Sequence, residues 1–157
     1  MNHNFSRTRL LPLVTLVSLL FISVEASAEG APSCVATVQK VSGTASVLRQ
    51  GQTIPAATGL EVRENDTLRT GPNGSLGVLF HDDTQLSLGP GSVLVIDEFV
   101  FAPRESKFSI VLKMLKGTAS YLSGLISKLS PESAHFQTPT ASIGIRGTKF
   151  VVKVEGE

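Results

Sequence analysis

From Gly30-Ala31-Pro32 onward the chain is a succession of short apolar alternations cut by Gly, Pro, Asn and Asp. Successive side chains of an extended strand point to opposite faces, so a period of two punctuated in this way reads as strands and turns. Leu76, Val78 and Phe80 share one face, alternating with Ser75, Gly77 and Leu79. Asn73-Gly74 stands just before them, a pair that tolerates positive φ and predicts a hairpin. Asp82-Asp83 gives the next turn, Leu86 and Leu88 the next strand, and Gly89-Pro90-Gly91 a further turn. Val93 to Ile96 is continuously apolar, as in a strand covered on both sides. Strands recurring roughly every eight or nine residues predict an all-β fold: a compact meander or sandwich, or a short β-solenoid-like domain.

A longer alternation follows. Phe108, Ile110, Leu112 and Met114 share a face, and Val111 and Leu115 lie on the other. Gly117-Thr118-Ala119-Ser120-Tyr121-Leu122 then nearly repeats Gly43-Thr44-Ala45-Ser46-Val47-Leu48, a weak sign of a repeated β unit. Leu122, Leu125, Ile126 and Leu129 have helical spacing, and Pro131 ends the run, so one short helix is expected over an open end of the core.

The first 28 residues read as a signal peptide. Arg7 and Arg9 precede an apolar run from Leu10 to Val24, and Ala26-Ser27-Ala28 supplies small residues for cleavage. Spanning a bilayer takes about 20 apolar residues; this run is shorter and contains Pro12. An uncleaved anchor is the alternative. The expected organisation is residues 1–28 as signal peptide, 29–37 as linker and 38–157 as the β domain, with no transmembrane segment in the mature chain. Loss of Arg7, Arg9 and Glu25 leaves 12 basic and 12 acidic residues. Their balance and wide spacing argue against a nucleic-acid or polyanion partner. Cys34, the only cysteine, cannot close an intramolecular disulfide.

Catalytic candidates are few. His81-Asp82-Asp83 is the densest titratable cluster and would suit a divalent metal or an oriented base, but it falls in a turn, where Asp is favoured for backbone reasons. His135 is the only other histidine after the leader. Nucleophile elbows, His-Glu-x-x-His helices and phosphate-cradling loops do not occur in the sequence. The expectation is a protein that is not an enzyme, with no catalytic residues, cofactor or metal.

The most specific segment is Thr138-Pro139-Thr140-Ala141-Ser142-Ile143-Gly144-Ile145-Arg146-Gly147-Thr148-Lys149-Phe150. Ala141, Ile143 and Ile145 fall on one face, whereas Phe150, Val152 and Val154 continue on even numbers. An extra residue at Arg146-Gly147, as a bulge or sharp corner, accounts for the switch. Such a corner re-aims Arg146, whose planar fork is expected to act structurally by bridging carboxylates or carbonyls of neighbouring strands; the alternative is that it receives a carboxylate of a ligand or partner.

Thr138-Pro139-Thr140-Ala141, Gly144-Ile145-Arg146-Gly147-Thr148 and Phe150 closely resemble the signature of the FecR-like (iron-dicitrate sensor) family. Asn65-Asp66-Thr67-Leu68-Arg69-Thr70-Gly71 and Asp82-Asp83-Thr84-Gln85-Leu86-Ser87-Leu88 resemble two further elements in the expected order. That family usually has Gly at the position of Asn65 and often at that of Asp83; both substitutes tolerate turns. The resemblance covers about residues 38–154. It implies a non-catalytic all-β periplasmic domain, and in the best-known members one that relays receptor occupancy to a cytoplasmic sigma factor. The cytoplasmic helical domain and spanning helix of that relay have no counterpart here, so the chain resembles a standalone exported member, periplasmic or secreted. The expected partner is another envelope protein; the alternative is an envelope assembly accessory that engages a glycan or polymer. Glu157 follows soon after the signature, where relatives continue with strands. Val151 to Val154 are therefore expected either to accept a partner strand or to form an edge blunted by Lys149, Lys153 and Glu155.

Overall fold

The computed structural model describes residues 33–147 and 149–156. The expected signal peptide and residues 29–32 of the linker lie outside the described residues. The chain forms β1 (Cys34–Ser42), β2 (Ala45–Arg49), β3 (Gln52–Pro55), β4 (Glu61–Arg63), β5 (Thr67–Thr70), β6 (Ser75–Phe80), β7 (Gln85–Leu88), β8 (Val93–Ala102) and β9 (Lys107–Leu122). The helix α1 (Ile126–Leu129) precedes β10 (Ala134–Gln137), β11 (Ser142–Gly144) and β12 (Lys149–Val154). The all-β expectation holds. β1 begins at Cys34, with Val35 and Ala36 already buried, so the first described strand includes residues 34–37 of the expected linker.

The strands form two faces of one curled sheet, joined through β9. One face runs β4-β1-β6-β7 to the second half of β9 and then β12; the other runs β3-β2-β5-β8 to the first half of β9, then β10 and β11. β9 serves both because its inward positions change parity. Ile110, Leu112 and Met114 are buried before Gly117, whereas Ala119 and Tyr121 are buried after it. Gly117 has φ +94°, a left-handed conformation that disfavours a side chain, and an added Cβ would lie 2.5 Å from Ser92 Cα. Gly43 stands at the equivalent crossing between β1 and β2, with φ +61°. The two near-identical hexapeptides are thus two points at which the chain changes face.

Two further crossings, Gly71–Gly74 and Gly89–Ser92, stack between these points. Gly71 N–H donates to Thr44 O (2.8 Å), Gly91 N–H to Gly71 O (3.0 Å) and Gly89 N–H to Thr118 O (2.8 Å). Thr70 Oγ1 donates to Gly89 O (2.6 Å) and accepts from Ser92 N–H (2.9 Å), while Ser92 Oγ accepts from Thr118 N–H (3.0 Å). Burial leaves such groups no water, so pairing within the ladder is what makes the crossings tolerable.

This ladder corrects one expectation. Asn73-Gly74 makes no hairpin: β5 pairs with β2 and β8, and β6 with β1 and β7. Gly74 is needed for close approach, since a Cβ there would overlap Thr44 O. The helical stripe is also shorter than its spacing implies. Leu122 ends β9, α1 spans four residues, and Leu129 remains 58% exposed, so only Ile126 of the four is buried. In contrast, Asn65 and Asp83, the two positions at which Gly is usual, have φ +67° and +66°. The turn-tolerant substitutes occupy the left-handed conformation that glycine adopts most readily.

Between the two faces lie Val38, Val78, Leu76 and Leu86 from one side and Val47, Leu68, Leu94, Ile96 and Leu112 from the other. Phe80 stacks on Phe99 with centroids 5.4 Å apart. Asp66 is buried and accepts from Arg49 Nε (2.9 Å), Arg49 Nη2 (2.7 Å) and Arg63 N–H (2.8 Å). Such a two-pronged guanidinium contact fixes direction as well as charge. Among the described residues no helix is long and apolar enough to cross a membrane.

Candidate functional site

The signature segment packs onto the open end of the core. Phe136, Tyr121 and Phe150 meet there, with centroids 5.2 to 6.2 Å apart. Thr138 follows β10 and closes a turn over Pro139 and Thr140: its N–H donates to Ala141 O (2.8 Å), and its Oγ1 accepts from Ala141 N–H (3.0 Å). Proline sets φ for the second position of such a turn. Ala141 is exposed at the turn's end, not inward with Ile143 and Ile145 as the alternation predicts, because β11 begins only at Ser142.

β11 pairs with β10 through His135↔Gly144, and Ile145 is buried, its N–H on Ala134 O (3.0 Å). The chain then leaves this face. Gly147 has φ +62°, and β12 begins at Lys149 on the other face, antiparallel to β9. The parity switch is therefore a corner between two strands in different layers. Thr148 lies outside the described residues.

Arg146 is exposed on this corner. It rims a shallow depression of about 460 Å³ with Pro131, Glu132, Gly144 and Ile145. Its guanidinium closes no ion pair within 4.0 Å among the described residues. The Glu132 carboxyl is held below its ordinary range chiefly by the Ser130 hydroxyl, then by its own backbone amide, with a smaller pull from Arg146. A second depression, about 470 Å³, lies between the Thr138–Thr140 turn and the end of β12 and includes Leu115 and Lys153. The spacing of the sequence marks Arg146, but it gives no sign of Glu132 or Leu115, which arrive from elements distant along the chain.

The His81-Asp82-Asp83 cluster is divided by its turn. Asp82 is buried, and its carboxylate accepts from Thr84 N–H (3.1 Å), Thr84 Oγ1 (2.8 Å) and Ile126 N–H (3.2 Å). Asp83 and His81 are exposed, and His81 Nε2 lies 3.7 Å from Cys34 Sγ. Asp82 thus ties the β6–β7 hairpin to α1. Tyr121, next to the end of β9 and beneath the same hairpin, is fully buried, its hydroxyl without a hydrogen bond among the described residues. Burial pushes its pKa up to about 12, although the Thr84 and Ser127 hydroxyls nearby pull the other way.

The two-faced β framework buries its apolar residues and sets the Thr138–Ala141 turn and the exposed Arg146 at its surface. The chain belongs to the FecR family: the family model described as FecR protein matches residues 66–157, from the buried Asp66 through the signature segment. Among curated proteins and among solved structures, none is significantly similar to it.

Proposed function

We propose that this protein is a non-catalytic sensory or interaction module of the bacterial envelope, exported by its first 28 residues and acting outside the inner membrane by contact with another envelope protein. Membership of the FecR family supports the envelope setting and the regulatory role. The observation that carries the reading is Arg146. It is the one strong bidentate donor of the signature, it stands exposed on a corner held by Ile145, and it closes no ion pair among the described residues. An arginine fork on an exposed corner fits a carboxylate of a partner. In this reading Thr138, Pro139, Thr140, Ala141, Gly144, Gly147 and Phe150 shape and anchor the corner, and Arg146 makes the contact.

The protein, immobilised and exposed to an envelope extract, should retain a specific protein that an Arg146→Glu variant of unchanged thermal midpoint does not. Equal retention by both would remove Arg146 from the contact. Retention only of cell-wall polymer would favour an assembly accessory over a sensor.

A further inference from the structure

Among the described residues, the four strands at sheet edges are unequal. β4 and β11 have three residues each, and β3 has four and ends in Pro55, whereas β12 has six. β12 pairs with β9 along its whole length, from Lys149↔Leu122 to Val154↔Gly117, and with no other strand among the described residues. Shortness and proline are ordinary protections of an edge. β12 lacks both.

Its side chains are also unfinished. Phe150, Val152 and Val154 face the core yet stay half-buried, and Val151 on the outer face is 65% exposed. Leu115, beside the strand's far end, is 49% exposed. One more strand would cover the inner row. Lys149 and Lys153 stand on the outer face at either side of Val151, with Arg146 just before the strand and Lys116 against Gly156 after it. Among the described residues the acids nearby include Glu155, which meets Lys153 at 3.3 Å with both groups exposed, and Glu132, which lines the same depression as Arg146.

This charge pattern selects the occupant. A second copy paired antiparallel about Val151 would set Lys149 beside Lys153 of the partner subunit, where like charges repel. One paired about Val152 would set Lys149 opposite the partner's Glu155 but Lys153 opposite the partner's Val151, whereas an acidic strand meets both lysines. We infer that β12 accepts an extended acidic segment of a partner protein as an added antiparallel strand. Acidic residues four apart would face Lys149 and Lys153, and the intervening apolar side chains would complete the row of Phe150, Val152 and Val154. The lysines set the sign of the strand the edge takes. This deepens the contact reading above and rests on it, while using a different element from Arg146.

Fluorescence anisotropy tests it with a labelled nine-residue peptide carrying two glutamates four apart with valines between them, against the same peptide with lysines. The acidic peptide should bind the purified protein at least about tenfold more tightly, a difference of about 1.4 kcal/mol. The double variant K149E/K153E, with an unchanged thermal midpoint, should reverse that preference. N-methylation of alternate backbone amides in the acidic peptide should abolish binding in one of its two registers. Equal binding of both peptides, or a preference that survives charge reversal, overturns the charge-selected edge. Binding that survives N-methylation in both registers overturns strand addition. Either failure leaves envelope capture through Arg146 intact, so the two readings fall separately.

Discussion

The ladder of crossings and the signature corner both depend on glycine and threonine, yet they use them in opposite ways. In the ladder, Thr70 and Ser92 are buried and their hydroxyls are paired on both donor and acceptor sides. At the corner, Thr138 closes a turn on the surface and Arg146 reaches solvent without an ion pair among the described residues. The same small residues therefore hold the frame in one place and set out a contact surface in the other. The difference lies in burial and in Arg146, since the Thr138 hydroxyl is paired on both sides just as those of Thr70 and Ser92 are.

The sharpest way to break the comparison is at Gly117. Gly117→Val would force a β-branched residue into φ +94° and against Ser92. We expect a loss of about 3 kcal/mol or more by urea denaturation, or failure to fold. Thr70→Val keeps the shape but leaves Ser92 N–H and Gly89 O unpaired. Its expected cost is about 1–3 kcal/mol in the same assay.

Tyr121→Phe separates burial from pairing. Its hydroxyl has no hydrogen bond among the described residues, so at neutral pH the substitution should change stability by less than about 1 kcal/mol. In alkali the two proteins should diverge. The folded state raises the Tyr121 pKa from 10.0 to about 12, so the tyrosine's contribution is fully present below pH 10 and is lost as pH rises through the folded value. Denaturation midpoints between pH 9 and 12 should fall more steeply for the parent than for Tyr121→Phe. The smallest effect is expected at the corner: Arg146→Ala should shift stability by no more than about 0.5 kcal/mol while reducing partner capture.

What the sequence made legible was local. Left-handed turns at Asn65 and Asp83, the Thr138–Ala141 turn and the change of parity near Gly147 all follow from residue chemistry within a few positions. What it hid was which layer a strand joins. A period of two says which side chains share a face but not whether the next strand continues the same layer, so Asn73-Gly74 read as a hairpin when it is a crossing. The near-repeat at Gly43 and Gly117 was the visible trace of that switching. Leu122 to Leu129 misled because helical spacing over eight residues also arises where a strand ends and one helical turn begins.

Hydrogen exchange of the purified protein tests the division between frame and contact surface most directly. Amides of Gly71, Gly89, Ser92 and Thr118 should exchange only with global unfolding, and those of Thr140, Arg146 and Gly147 many times faster. Slower exchange at Thr140 to Gly147 than in the ladder would contradict the account, because it would make the signature the stabilising centre of the fold.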